Sequence, residues 1–474
     1  MLIKCGGYLK IKILYKKPIM QKVHAYLKKE YPRFLEELKE YVSLGGVSAR
    51  GDKQEMQKCA EWLLAHCRKI GLSAMLYQTA GNPVLVATTK NNSTKKLHYI
   101  VYGHYDVQPP EPLELWKSPP FTPTVRGGKL FARGASDNKG QHFAHLKAVE
   151  AYIKTGTPLP CDISFVIEGE EEVGSSNLSI FLQKNKKMLA ADGVVISDTT
   201  MPSLKTPAIT YALRGIAALE VTLRGADRDV HSGSYGGSIE NPAFALVHLL
   251  ATLRDKKTGK ILVRGFYDGV CALTVKERKE MHEVGADDAE RYRAFLKVPC
   301  LFGEKGFSHI EHTTIRPTVE INGLTSGYQG VGSKTIVPSL ARAKITMRLV
   351  PHQKPSVVFA AVKRHLAAHC PKSVTMEIKS GHGAEPYLFE PNSKAVRAAE
   401  RAIKRVFGVS PRFIREGGSI PVVTDFNKIL GLHSLLIGLA LPDDNAHSPN
   451  EKFELANFKR GMVLSAELWK ELVL

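Results

Sequence analysis

Hydrophobic and polar positions follow two alternating periods along the chain from about residue 20. Apolar residues recur at helical spacing in the segment "KQEMQKCAEWLLAHCRKIG", which ends at Gly71, a residue suited to closing a helix. Short β-rich runs separate such helices, for example "PVLVATT", "LHYIVYGHYD", "DISFVIEGE" and "GVVISD". Strands that alternate with helices predict an α/β sheet with substantial parallel character.

The pattern changes after about residue 209. The order of elements becomes strand, helix, strand, strand, helix, strand, beginning with "YALRGIAALEVTLRG" and ending with "SVTMEIKS". This order predicts a small split βαβ sandwich. The helix–strand alternation returns from about residue 388, so we predict one α/β domain with a second domain inserted into it. The predicted boundaries are residues 20–209 and 387–474 for the α/β domain and residues 210–386 for the insertion.

The N-terminal segment and the cysteines bear on location. Lysines interrupt the apolar residues of the N-terminus, so no signal peptide is predicted, and we expect residues 1–19 to be a disordered or spurious extension outside the fold. No stretch approaches the length of a membrane-spanning helix. The seven cysteines are scattered and never spaced as CxxC, which favours a reducing compartment. These features predict a cytoplasmic protein that does not bind a membrane.

The formal net charge is +20 at pH 7, which raises the question of a nucleic-acid partner. The basic residues are spread along the chain and are not interleaved with aromatic residues. We therefore predict a lysine-rich, solvated surface and no nucleic-acid binding.

Candidate chemistry begins with four carboxylates at the end of one predicted strand, in the segment "FVIEGEEEVGS". Two carboxylates about 4 Å apart repel by roughly 1 kcal/mol in water and by more near a protein interior. Solvent, a nearby Lys or Arg, or a divalent metal ion would offset this repulsion. The segment alone leaves these three alternatives open.

Further possible ligands follow other strands and loops. His104 and Asp106 follow one predicted strand and Asp198 follows another, and ligands of open α/β sheets bind outside the carboxyl ends of the strands. Of His104 and Asp106, one can bind a metal while the other orients the imidazole. Asp137 precedes a helix, where it is either a helix cap or a ligand. His447 lies in a polar loop that is either a simple turn or a further ligand segment.

Together these residues form a plausible ligand set for a pair of divalent ions. Two imidazoles and three carboxylates suit zinc or manganese, and one carboxylate can bridge the two ions. The residue left over, Glu171, is a candidate general base beside a metal-activated water. The candidate ligands are His104, Asp137, Glu172, Asp198 and His447.

The chain contains seven motifs, given at the end of this paragraph in chain order, through which it resembles a family of dinuclear metallopeptidases. This is family M20, the aminoacylase, carnosinase and carboxypeptidase G family. The resemblance extends from about residue 20 to the C-terminus, and "SDNKG" and "WKSPPFTP" place it nearest the cytosolic, carnosinase-like dipeptidase branch. The motifs are "GHYDVQPP", "ARGASDNKG", "EGEEEVGS", "SD", "DVHSGSYGGS", "REGGSIP" and "NAHSPNE".

The resemblance implies a role for each position of the metal cluster. Two ions, zinc or manganese, are expected to share the bridging ligand Asp137, and a cis peptide is expected between Asp137 and Asn138. Glu171 is expected to take a proton from the bridging water and deliver one to the leaving amine. The implied remaining roles are one ion on His104 and Asp198, the other on Glu172 and His447, and orientation of His104 by Asp106.

For the inserted domain, the resemblance implies a lid through which two copies of the chain form a homodimer. His231 is expected to reach the partner subunit's active site and polarise the scissile carbonyl. The positions that match substrate-binding residues of the family are Thr335, Arg348, Gly418 and Ser419.

The implied fold is a catalytic domain with a mixed, largely parallel sheet plus an inserted two-layer α+β domain. The implied function is hydrolysis of the peptide bond of dipeptides or short peptides through a water that bridges two metal ions. An N-acyl-amino-acid hydrolase of the aminoacylase or desuccinylase type is the alternative. A non-catalytic binding protein with the same fold is a third, and the complete ligand set together with Glu171 argues against it.

Overall fold

A computed structural model describes residues 17–89, 96–283, 289–389 and 392–474 of the chain. The chain forms two compact units. The described residues of Met1–Tyr211, Phe389–Ile414 and Asp425–Leu474 form the first unit, and those of Ala212–Leu388 and Arg415–Thr424 form the second. The expectation for residues 1–19 lies largely outside the described residues, and the first helix begins at Lys17. Helices and strands are numbered in chain order below.

The first unit is built on a mixed sheet in which the strands β1-β2-β6-β3-β7-β17-β8 are neighbours in this order. The last of them, β8, also pairs with the short strands β15 (Tyr387–Leu388) and β16 (Arg412–Glu416). Its central strands β6, β3, β7 and β17 run parallel to one another, whereas β1, β2 and β8 are antiparallel to their neighbours. The strands are β1 (Ser73–Tyr77), β2 (Val84–Thr88), β3 (His98–His104), β6 (Asp162–Glu168), β7 (Gly193–Ile196), β8 (Ala208–Leu213) and β17 (Ser434–Leu436).

Burial explains why the central strands read as apolar runs. Every residue of β3 and β6 is buried, as expected for parallel strands covered on both faces. The carboxyl ends of the parallel strands share one edge of the sheet, so the residues that follow β3, β6 and β7 are brought to that edge. This unit also contains a small antiparallel sheet of β4 (Thr124–Arg126), β5 (Lys129–Phe131) and β18 (Lys452–Glu454).

The helices of the first unit confirm the predicted alternation. The second helix begins after Asp52, whose carboxylate accepts the backbone N–H groups of Gln54 and Glu55, and it ends at Gly71 with φ +107°, as its sequence predicts. Among the described residues, no helix combines the length and the apolar content needed to cross a bilayer. The helices are α1 (Lys17–Ser43), α2 (Lys53–Ile70), α3 (Gly140–Lys154), α4 (Ser176–Lys184), α11 (Lys394–Phe407) and α13 (Leu455–Leu472).

The second unit has two layers. An antiparallel sheet with the order β11-β13-β9-β14 shares one apolar core with helices α6 and α10, to which α6 contributes Leu246 and Leu249 and α10 contributes Val362 and Leu366. The elements of this sandwich are β9 (Gly215–Arg224), α6 (Pro242–Ala251), β11 (Thr318–Ser326), β13 (Leu340–Leu349), α10 (Pro355–His369) and β14 (Thr375–Ala384). The predicted fold class, a mixed sheet plus a two-layer α+β region, is confirmed, and the parallel pairings of that sheet are those among its four central strands.

Two details differ from the sequence-based expectations. The segment "YALRGIAALEVTLRG" is two strands, because the pairing breaks at Arg214 between β8 and β9. The second unit also includes residues 415–424, which the predicted boundaries had placed in the α/β domain. Backbone and side-chain N–H groups of Arg214 bind the carbonyl oxygens of Glu416 and Gly417, which ties this segment to the second unit. The functional roles of the predicted domains stay predictions.

Shorter elements connect these layers. In the second unit they are β10 (Val230–His231), α5 (Ser232–Tyr235), α7 (Val275–Met281), α8 (Ala289–Leu296), α9 (His309–Thr314), β12 (Ile336–Val337) and β15 (Tyr387–Leu388). Along the chain, the boundaries between the units fall within β8, directly after β15, within β16 (Arg412–Glu416) and within α12 (Pro421–Leu430).

Candidate metal centre

His104 is the last residue of β3 and is completely buried at the carboxyl edge of the sheet. Its Nδ1 lies 3.0 Å from the backbone oxygen of Asp106 and 3.4 Å from the Asp106 carboxylate. The same carboxylate accepts the backbone N–H groups of Glu171 and Glu172, at 3.3 and 3.1 Å. Asp106 therefore fixes the imidazole of His104 and also connects β3 to the acidic turn after β6.

Asp137 lies between two imidazoles. Its Oδ1 is 3.1 Å from Nε2 of His104, and its Oδ2 is 2.9 Å from Nε2 of His447. The peptide bond between Asp137 and Asn138 is cis. Because each carboxylate oxygen faces a different histidine, Asp137 has the arrangement that a bridging ligand requires.

Glu172 and Asp198 lie on opposite sides of Asp137. Oε2 of Glu172 is 3.4 Å from Nε2 of His447, and Oδ1 of Asp198 is 3.7 Å from Nε2 of His104. The structure thus brings all five candidate ligands together, and the nearest ligand atoms of His104, Asp137 and Glu172 lie within 4.8 Å of one another. Their pairing agrees with one ion beside His104 and Asp198 and another beside Glu172 and His447.

The electrostatics of this cluster favour a bound cation. Burial raises the pKa of Glu171 well above its usual value, and Asp198, Glu172 and Asp137 raise it further. Burial and the charge of Asp137 likewise raise the pKa of Glu172. The raised pKa values mean that these carboxylates are costly to ionise together, and a divalent ion would relieve that cost.

The pKa values of the two histidines are also raised, which for an imidazole favours the charged form. Burial would lower the pKa of His104, but its contacts with Asp106, Asp137 and Asp198 outweigh burial and raise it well above 6.5. Hydrogen bonds with Asp137 and Glu172 raise the pKa of His447 to about 11. Each Nε2 faces carboxylate oxygens, so a proton or a metal ion is required between them. The donor set of imidazole nitrogens and carboxylate oxygens fits zinc or manganese.

The remaining glutamates of the acidic turn have separate contacts. Glu168 is buried, accepts hydrogen bonds from the hydroxyl groups of Tyr102 and Ser175, and has a pKa raised to about 8 by burial and by Asp106. Glu170 accepts the backbone N–H groups of Asn82 and Asn177. Glu168 and Glu170 therefore hold the turn that carries Glu171 and Glu172.

In the second unit, Arg348 and Ser419 are brought together. Nη1 of Arg348 donates to Oγ of Ser419 at 3.0 Å, and that hydroxyl donates to the backbone oxygen of Arg214 at 2.5 Å. Gly418 is exposed beside this pair. Thr335 is also exposed, and its carbonyl accepts the backbone N–H of Ser232.

His231 is exposed at the end of β10, directly before the short helix α5. Its Nδ1 accepts the backbone N–H of Gly233 at 3.0 Å. This bond places the proton of the neutral ring on Nε2, which is then free to donate a hydrogen bond.

Three residues that support the cluster were not assigned from the sequence. Gln108 donates from Nε2 to Oε2 of Glu172 at 2.8 Å, and Asn138 donates from Nδ2 to Oδ1 of Asp198 at 2.7 Å. Glu451 accepts the backbone N–H of Asp137 at 3.0 Å. The one signal for them was their place inside the motifs "GHYDVQPP", "ARGASDNKG" and "NAHSPNE".

A family comparison agrees with this site. Residues 100–471 match the model of Peptidase family M20/M25/M40, and the chain belongs to that family. The predicted family is thereby confirmed.

Individual relatives place the chain within the family. It is 32% identical over 471 residues to the beta-Ala-His dipeptidase of Rattus norvegicus, covering 96% of this chain and 95% of the rat protein. It is 31% identical over 461 residues to the Cys-Gly metallodipeptidase dug1 of Schizosaccharomyces pombe, covering 94% and 96% of the two chains. The crystal structure of human carnosine dipeptidase 1 superposes with a TM-score of 0.85 at 33% identity, covering 96% of this chain and 99% of the human one. The dipeptidase branch predicted from the sequence is confirmed.

Proposed function

We propose that the protein is a metal-dependent dipeptidase that hydrolyses the peptide bond of dipeptides or short peptides. The observation that carries the proposal is the convergence of the five candidate ligands around Asp137, with Glu171 next to ligand Glu172 in the chain. The names of the rat and yeast relatives, both dipeptidases, support the substrate class.

The ligand roles follow from the pairing of side chains. His104 and Asp198 would hold one ion, Glu172 and His447 the other, and Asp137 would bridge them. Two divalent ions, zinc or manganese, would supply Lewis-acid activation of a water and of the substrate carbonyl. Asp106 keeps the His104 ring oriented through Nδ1, which leaves Nε2 to face the ligand cluster.

Glu171 is proposed as the general base and later the general acid. It is held by its backbone N–H bond to Asp106 and lies among Asp198, Glu172 and Asp137, whose charges raise its pKa. A carboxylate with a raised pKa accepts a proton from water more readily and can return it to the leaving amine.

Arg348 is proposed to bind the carboxylate of the substrate. Its guanidinium is partly buried, and within the described residues no carboxylate forms an ion pair with it. A partly buried, uncompensated guanidinium is suited to a carboxylate ligand. The further proposed substrate contacts are Ser419, Gly418 and Thr335.

The main alternative is an N-acyl-amino-acid hydrolase, which would use the same ions and the same base. Rates with a panel of dipeptides, N-acetyl amino acids and N-succinyl amino acids separate the two activities. We expect kcat/KM to be highest for a dipeptide. Higher values for the N-acyl substrates would contradict the dipeptidase proposal and leave the metal centre intact.

We also propose a homodimer in which His231 of one subunit acts at the active site of its partner. Two features of His231 support this role: its side chain is exposed, and Nε2 carries the donor proton. A side chain that donates a hydrogen bond to a substrate carbonyl in the partner's active site must project from the surface of its own chain. Mixing inactive His231→Ala with inactive Glu171→Gln should restore part of the activity in heterodimers. No recovery after proven subunit exchange would show that His231 acts in its own chain or has no catalytic role.

For the location of the enzyme we propose the cytoplasm. The cysteines support this, since the six within the described residues, Cys59, Cys67, Cys161, Cys271, Cys300 and Cys370, are unbridged. Cell fractionation tests it, and recovery of the protein in a secreted fraction would contradict it.

A further inference from the structure

Glu451 is completely buried, yet it is neither a candidate ligand nor close enough in sequence to the other motifs to suggest a partner. Its Oε1 accepts the backbone N–H groups of Ser136 and Asp137, at 2.9 and 3.0 Å. Its Oε2 accepts the backbone N–H of Gly134 at 2.8 Å and Nη1 of Arg133 at 2.9 Å. Residues 133–137, called the Asp137 loop below, thus wrap around one carboxylate.

The other end of this arrangement is the loop of residues 444–451, called the His447 loop. Glu451 is its last residue, four positions after His447. Asn445, His447 and Asn450 all have positive φ, at +56°, +62° and +63°. Residues with side chains rarely adopt this conformation, and it persists where surrounding contacts determine it.

Anchors at both ends hold the His447 loop. Asn450 accepts the backbone N–H of Lys117 and donates to the backbone oxygen of Leu115. Asp444 accepts the hydroxyl of Ser136 at 3.2 Å and Nζ of Lys452 at 2.6 Å. Among these anchors, Glu451 is the one that binds the backbone of Asp137 itself.

We propose that Glu451 is a positioning residue that sets the spacing between Asp137 and His447, the two side chains that face each other at 2.9 Å. The inference rests on the proposed metal centre. The hydrogen bonds of Glu451 go to the side chain of Arg133 and to backbone N–H groups of the Asp137 loop. Its bond to the N–H of Asp137 fixes the backbone position from which that carboxylate extends. Because Glu451 is also part of the His447 loop, it fixes the backbone position from which the imidazole of His447 extends. One carboxylate therefore joins two ligand segments that lie about 310 residues apart in sequence.

The competing explanation is that Glu451 stabilises the fold without influencing the metal ligands. The two explanations differ in what the metal-free protein does. A positioning residue controls the affinity for metal, and substitution of residues that orient ligands typically costs about 10–100-fold in metal affinity. A fold anchor controls the thermal midpoint of the metal-free protein and leaves the affinity of the folded protein unchanged.

The test is Zn²⁺ titration of chelator-treated wild type, Glu451→Gln and the control Glu454→Gln, by calorimetry well below the thermal midpoint. Glu454 is also buried and only three residues further on, and its ion pairs are with Lys129 and Lys452. In Glu451→Gln, the NH₂ group of the amide replaces one carboxylate oxygen and faces backbone N–H groups, to which it cannot offer an acceptor. We expect its affinity for at least one Zn²⁺ to fall about 10–100-fold. The control should keep wild-type affinity, and Tm of the metal-free proteins should be measured in parallel.

A loss of affinity smaller than about tenfold in Glu451→Gln would overturn the proposal. If this variant does not fold, Glu451→Asp replaces it, because the shorter side chain keeps the charge but withdraws its oxygens, and the same loss is expected. Failure of both variants to fold would show that Glu451 serves folding alone, which also overturns the proposal. Wild type that binds neither Zn²⁺ nor, in a parallel titration, Mn²⁺ would instead refute the proposed metal centre, so the two failures are distinguishable.

Discussion

Two clusters in the first unit contain the same kinds of side chain and differ in where the compensating positive charge comes from. Glu37, His66 and Glu150 bring their ligand atoms within 4.8 Å of one another, as His104, Asp137 and Glu172 do. We call the former the lysine cluster and the latter the metal cluster.

The lysine cluster is completed by the protein. Nζ of Lys147 lies 2.5 Å from Oε2 of Glu37, 2.9 Å from Oε2 of Glu150 and 2.8 Å from Nε2 of His66, and Lys147 is fully buried. Arg33 binds the other oxygens of the two glutamates. The ammonium group therefore occupies the position that a metal ion would take.

Within the described part of the chain, the metal cluster has no such residue, because the ion pairs of Asp137, Glu172 and Asp198 are formed with His104 and His447. The difference shows that a group of His and Glu residues does not by itself indicate a metal site. What matters is whether a Lys or Arg already supplies the balancing charge.

The largest expected effect is at the metal cluster, on turnover. Glu171→Gln should keep its bound metal and lose about 10²–10⁴-fold in kcat, because an amide cannot accept the proton. Metal content by atomic absorption and kcat on the best dipeptide check this. Near-normal turnover with normal metal content would assign the base to another residue.

The next effect is at the lysine cluster, on stability. Lys147→Met should lower the free energy of unfolding by about 3–5 kcal/mol, because it leaves Glu37 and Glu150 buried with less compensating charge. Lys154→Met is the matched control, an exposed lysine near the end of the same helix α3. Urea denaturation of both variants tests the difference. Equal midpoints would show that Arg33 alone balances the two carboxylates.

The lysine cluster should also make stability depend on pH. Burial, together with the charge of Lys147, lowers the pKa of His66 from 6.5 to about 3. The unfolded chain therefore binds a proton that the folded chain does not, so stability should fall as the pH falls from about 6.5 toward 3, by up to about 1.4 kcal/mol per pH unit. His66→Gln should flatten this part of the profile. An unchanged slope in the urea midpoint would place the acid sensitivity elsewhere.

The smallest effect is expected at the edge of the lysine cluster. Lys69 lies 3.2 Å from Oε1 of Glu37, but its side chain is 68% exposed. Solvent screens such a pair, so Lys69→Met should change the free energy of unfolding by about 0–1 kcal/mol. A loss as large as that of Lys147→Met would show that burial does not distinguish the two lysines. The same denaturation series measures it.

Much of the fold could be predicted because hydrophobic periodicity reports burial. The buried strands β3 and β6 read as apolar runs, and the cap residues Asp52 and Gly71 bound a helix. The break at Arg214 could not be predicted from the pattern, since apolar alternation continues through it. What breaks the strand there is a set of hydrogen bonds to a segment about 200 residues away in sequence.

For the candidate site, the ligand residues could be predicted from the sequence, but the residues that support them could not. Strand-end positions suggested His104, Asp106 and Asp198, and a helix start and a polar loop suggested Asp137 and His447. The motifs then implied their roles, which stay predictions. Gln108 and Glu451 could not be assigned, because Glu451 binds backbone N–H groups and the partners of both lie far away in sequence. The lysine cluster could not be predicted from the sequence either, because its members lie far apart: Glu37 and Lys147 are separated by 110 residues. Taken alone, each of them resembles a surface charge.

The most direct test of this comparison is a crystal structure of the protein as purified with zinc or manganese, with anomalous diffraction recorded at the metal's absorption edge. We predict two anomalous peaks about 3.5–4 Å apart, flanking Asp137, as in two-metal sites generally. We predict none among Glu37, His66 and Glu150, where Lys147 supplies the charge. A peak in the lysine cluster, or no peak beside Asp137 in protein that hydrolyses dipeptides, would contradict the account.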